Sequence, residues 1–202
     1  MARPSSDRCK TSLDASSCHT KREQKTMRVD FDRAVEAVRA ARAFDWTWTT
    51  GDLQAFTETV GWQLDNRDPA SPVVTTDLAV NRSDAVVFLD ADSPRSINEI
   101  WFFFSDVVLA DASVKPLLSN AFDELAQRVF DLVGERPTGW WWRDPDRTLR
   151  WDLPNLVLQL AVSDISGSVR LINPAHQAWQ DENDRRPGSD QPIDLDTVWR
   201  TE

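Results

Sequence analysis

The chain has 202 residues and a net charge of −10, the size of one domain with tails. No apolar run approaches the roughly 18–20 residues of a membrane span, and the basic N-terminus has no apolar stretch of the kind a secretory signal needs. The expectation is a cytoplasmic protein with no membrane segment. Its acidity repels nucleic-acid phosphates and favours a basic protein partner, besides serving solubility in general.

Residues 1–26 are rich in Ser, Thr, Lys and Arg, poor in large apolar residues and without periodicity, which predicts a disordered arm. Both methionines, Met1 and Met27, bracket this arm, and both cysteines, Cys9 and Cys18, lie within it. Met27 is therefore an alternative start. The arm's six Lys/Arg and three Asp/Glu leave residues 27–202 with a net charge of −13. Eight residues between the two cysteines, with only His19 nearby, do not make a metal or redox motif.

In chain order, Val29 to Phe44 reads as a helix, with Phe31, Val35, Val38 and Ala41 or Arg42 at helical spacing. Asp45-Trp46-Thr47-Trp48 interrupts it, and Trp46 and Trp48 are expected to pack between helices and sheet. A second helix from about Thr50 carries Leu53, Phe56 and Val60 on one face, and Gly61 stops it. Three strand candidates follow: Val73 to Val80, Ala85 to Ala91 and Ile97 to Leu109. A long helix over Val114 to Val133 carries Leu118, Phe122, Leu125, Val129 and Leu132 as one stripe, with Pro116 in its first turn and Gly134 at its end. Gly139–Arg143, Thr148–Asp152, Leu156–Val162 and Ser168–Ile172 read as strands, and Asn173-Pro174 opens a short helix bearing His176 and Trp179. The order predicts an α+β domain over 27–180: a mostly antiparallel sheet, helices packed on one face, and an acidic flexible tail over 181–202.

The densest signal is Trp140-Trp141-Trp142-Arg143, followed by Asp144-Pro145-Asp146-Arg147 and Thr148-Leu149-Arg150-Trp151-Asp152. It holds four of the ten tryptophans, a residue that builds cores and binding surfaces far more often than it does chemistry. A turn centred on Pro145-Asp146 would oppose Trp142 to Leu149, Trp141 to Arg150 and Trp140 to Trp151. Alternation then puts Trp140, Trp142, Leu149 and Trp151 on one face, expected to be core. Trp141, Arg143, Thr148 and Arg150 fall on the other. That second face is either covered by helices and tail or forms a recognition surface of Trp141, Arg143 and Arg150.

Nothing else selects a catalytic kit. Asp90-Ala91-Asp92-Ser93 lacks the ligand number and the glycine of a calcium loop and reads as a turn. His176 is the one histidine beyond the arm, which cannot by itself make a two-histidine metal site. Glycines occur singly, so there is no phosphate-cradling loop. Glu99, Asp106, Asp111 and Asp152 have no spacing that singles them out. The expectation is no cofactor and no enzyme.

Phe44-Asp45-Trp46-Thr47-Trp48 ahead of a short helix ending Gly61-Trp62 forms the first of two sequence blocks. The second is Leu149-Arg150-Trp151-Asp152-Leu153-Pro154-Asn155 ahead of a strand pair ending Ile172-Asn173-Pro174. Over roughly residues 29–180 these blocks resemble an uncharacterised family of small acidic proteins from high-GC bacteria, classed as a domain of unknown function. The resemblance implies no catalytic residues. By analogy of size and acidity it suggests an immunity protein that sequesters a toxin, or a chaperone for a secreted effector. A small-ligand or enzymatic domain is the alternative from another class.

Overall fold

The computed structural model describes residues 27–185 other than Pro69 and Pro94, so the arm, its cysteines and the span 186–202 lie outside the described residues. Asp30 caps helix α1 (Phe31–Ala43) by accepting the Arg33 N–H. Helix α2 (Asp52–Val60) ends at Gly61, whose φ of 77° closes the last turn without a Cβ clash. Four strands follow: β1 (Gln63–Asp65), β2 (Val73–Thr75), β3 (Asp84–Leu89) and β4 (Ile97–Phe103). A 3-10 turn over Ala112–Val114 leads into α3 (Lys115–Val133). Then come β5 (Gly139–Arg143), β6 (Asp146–Leu153), β7 (Leu156–Val162), β8 (Gly167–Ile172) and α4 (Pro174–Asp184).

The eight strands form one sheet in the order β1-β2-β3-β4-β8-β7-β6-β5, with every neighbouring pair antiparallel. Two four-stranded meanders meet at β4–β8, and α3 carries the chain from the centre of the sheet to its far edge. The architecture is the α+β arrangement expected from the sequence. It has one strand more in the first half, the three-residue β1, too short to show periodicity.

Cross-strand register explains which residues are core. Ile100, Leu171, Leu158 and Trp151 form one row, and Phe102, Val169, Leu160 and Leu149 the next. Helices α1, α2 and α3 cover this face, with α3 packed on β7 and β8. Trp46 and Trp48 stack 4.6 Å apart in this layer, and their indole N–H groups donate to the backbone oxygens of Ala41 and Asn155. Both are buried, as the break between the helices suggested. Packing tightens at Gly167, where a Cβ would stand 2.3 Å from the Phe104 ring.

The fourth helix departs from the one-face arrangement. Gln177 accepts from Gln159, and Asp181 accepts from Arg150, so α4 packs on the opposite face of β6 and β7. It also runs to Asp184, taking in the first residues of the span expected to be tail.

Candidate functional site

The hairpin β5–β6 forms the end of the sheet. Its two-residue loop is Asp144-Pro145, closed by Arg143 opposite Asp146. The pairs are Trp142 with Arg147, Trp141 with Thr148 and Trp140 with Leu149. This differs by two residues from the register expected with the turn at Pro145-Asp146. Because side chains alternate with period two, a two-residue shift changes partners and keeps faces. Trp140, Trp142, Leu149 and Trp151 still share the helix face, and Trp141, Arg143, Thr148 and Arg150 the other.

Burial departs from the expectation more sharply. Trp151 is core at 1% exposure, its indole N–H donating to the Glu135 carbonyl at 3.0 Å. Trp140 and Trp142, expected to be core, are 79% and 72% exposed, and Trp141 is 50% exposed. The reason is the reach of α3. It covers β7 and β8 and touches β6 through Arg147, which contacts Asp123 and Ser119 and lies 4.5 Å from the Phe122 ring centroid. Beyond Arg147 the helix layer stops. Trp142, 5.9 Å from the same guanidinium, and Trp140 lie past its edge.

Of the three residues singled out on the other face, Trp141 and Arg143 are exposed and Arg150 is half-buried. The Arg150 guanidinium meets Asp181 at 2.8 Å through both terminal nitrogens and Asp152 at 2.7 Å through Nε. The hydrogen bonds to the Asp181 carboxylate raise the Arg150 guanidinium above its ordinary value. The same bonds hold the Asp181 carboxyl below its usual value. Arg150 thus anchors α4 and has little left to offer a partner, while Trp141 and Arg143 remain open. Asp181 was not legible in advance, because it fell in the span expected to be tail.

A second polar group sits further along the same face. Trp101 and Arg170 are cross-strand partners, with the guanidinium 4.8 Å from the indole ring centroid. The buried Nε of Arg170 and the indole N–H of Trp101 have no hydrogen-bond partner. Glu99, also on this face, is held above the usual carboxyl value by burial, with Arg170 and His176 pulling the other way. Phe88 stacks on Trp101 from the neighbouring strand at 6.5 Å.

No metal-ligating group of three or more His, Cys, Asp or Glu occurs among the described residues. Nor is any helix among them long and apolar enough to cross a membrane. The exposed edge of the hairpin is therefore the most distinctive surface: three consecutive tryptophans and Arg143 on the last strand of a sheet. The sign that could have identified it is the lack of alternation in Trp140-Trp141-Trp142. A strand covered on one face alternates apolar with polar residues, whereas this one is aromatic on both faces.

A family model described as "Family of unknown function (DUF6301)" matches residues 32–173, from the first turn of α1 to the cap of α4. No match was found among curated proteins or among solved structures.

Proposed function

This chain belongs to a family of unknown function (DUF6301), and we propose that it is a non-catalytic binding domain that sequesters a basic protein partner, in the manner of an immunity protein neutralising a toxin. The observation that carries this reading is the solvent exposure of Trp140, Trp141 and Trp142 together on β5. Aromatic anchors of this size are the residues on which binding energy concentrates, and leaving three of them in water has no benefit for an isolated domain. The charge of −13 over residues 27–202 adds long-range attraction for a basic partner and repulsion between copies of the chain. The mechanism is occlusion: charge steers the encounter, and the tryptophans hold the partner.

The test is affinity capture with the full chain and with Trp140→Ala/Trp141→Ala/Trp142→Ala, a change on a surface edge that should leave the fold intact. A basic protein retained by the first and lost by the second supports binding. Growth arrest by that protein, relieved by co-expression of this chain, supports toxin sequestration. Equal retention by both forms, or no basic partner, would overturn the reading.

A further inference from the structure

Edge strands of a sheet carry a row of unpaired backbone groups, and proteins blunt such edges with charges, prolines, bulges or a covering segment. The strand β5 uses none of these within Gly139–Trp142, and no strand pairs with its outer side among the described residues. Register tells which groups face outward. Arg143 and Asp146 are ladder partners that exchange both backbone hydrogen bonds, since the other phase would require Asp144 and Pro145, adjacent in the chain, to bond each other. By alternation Gly139, Trp141 and Arg143 turn their backbone groups toward β6. Trp140 and Trp142 turn theirs away from it, so that two N–H and two C=O groups line the free edge.

We propose that this edge takes an extended, basic segment of the partner as a ninth strand of the sheet. The proposal rests on the binding reading above and adds its mode. Four main-chain hydrogen bonds to Trp140 and Trp142 would fix the segment's register. On the helix face its side chains would lie beside the Trp140 and Trp142 rings, and on the other face against Trp141. Charge decides the occupant. A second copy would bring together two domains each carrying −13, whereas an oppositely charged segment is drawn in. The edge itself bears only Arg143, so positive side chains meet the wider acidic surface and not a single carboxylate.

The test uses a nine-residue peptide of alternating lysine and valine, with binding followed by tryptophan emission of the full chain. Three forms carry the same charge: unmodified, N-methylated on alternate residues, and N-methylated on every residue. Methylation along one edge leaves the other free to pair, so the first two should bind alike and the third at least tenfold more weakly. On the protein side, Trp142→Pro removes an outward N–H and should keep the fold, as edge strands tolerate proline there. It should weaken binding of the unmodified peptide at least tenfold. Far-ultraviolet circular dichroism checks that it folds, and Trp142→Ala with its N–H retained should bind more tightly than Trp142→Pro. No binding of the unmodified peptide, or equal binding of the fully methylated one, would overturn strand addition. So would self-association of the wild type that Trp142→Pro abolishes, which would make a second copy the occupant. If the triple alanine variant loses a captured basic protein while Trp142→Pro retains it, the binding surface stands and the strand mode falls.

Discussion

Arg150 on β6 and Asp181 on α4 form a two-point ion pair, each guanidinium amino group 2.8 Å from a different carboxylate oxygen. It is the polar clasp that holds α4 to the outer face of the sheet, assisted by Gln177, which donates to the same Asp181. A planar fork is needed for this geometry, and lysine cannot supply it.

Arg150→Lys and Asp181→Asn should therefore loosen α4 before they unfold the domain. Both groups are partly exposed, and solvent screening limits the loss to about 1 kcal/mol. The sign with pH follows from Asp181, whose carboxyl lies below its ordinary value in the fold. Its contribution is present above the ordinary carboxyl range and is lost as pH falls through the lowered value. Protection factors of α4 amides, which allow for the pH dependence of intrinsic exchange, should fall in both variants at neutral pH, and in the wild type only on acidification. Unchanged exchange in Arg150→Lys would show that α4 is held by apolar contacts alone.

Trp151 and Trp141 differ by environment, not by residue type. Trp151→Ala should cost about 3–5 kcal/mol by emptying core volume, seen as a large drop in the urea midpoint. Trp141→Ala should change stability by no more than about 0.5 kcal/mol. The reverse order would mean that the hairpin is turned over.

Gly167 lies under the Phe104 ring, three of whose atoms come within 3 Å of where a Cβ would stand. Both residues are in the buried centre, so the ring cannot swing into solvent. Gly167→Ala should cost roughly 1–3 kcal/mol through overpacking, and Phe104→Leu should relieve part of that cost in the double variant. Simple additivity of the two losses in thermal melts would rule out the clash as the cause.

Glu99 has its carboxyl pushed up by burial on the α4 side of the sheet. A carboxyl raised in the folded state retains its proton more readily there than in the unfolded chain. Its effect on stability is therefore neutral at low pH and becomes unfavourable as pH rises above the unfolded value. Glu99→Gln should raise the melting temperature at pH 7, and the gain should vanish near pH 4. A lower melting temperature at pH 7 would show instead that charge attraction to Arg170 and His176 outweighs burial.

Much of the fold was legible because its elements obey local rules. Leu118, Phe122, Leu125 and Val129 recur at helical spacing. Gly61 and Gly134 both sit at positive φ where a helix must stop. Ile100 and Phe102 alternate with Trp101 as a half-covered strand requires. The family resemblance drawn from the Phe44–Trp48 and Leu149–Pro174 blocks likewise agrees with the family match. Less legible were β1, the extent of β2 and the side of the sheet taken by α4, since each depends on partners remote in sequence.

The order of residues alone tells the face on which each hairpin side chain lies, because parity survives a two-residue error in register. It could not determine which face is covered, or how far. That depended on where α3 ends its path over the sheet, which leaves Trp140 and Trp142 in water while Trp151, on the same face one strand inward, is sealed. It depended also on Asp181 reaching Arg150 from a helix thirty-one residues away. Alternation is a property of one strand, set by its backbone geometry. Burial and charge pairing are properties of the neighbours, and only the assembled sheet and helices bring those neighbours together.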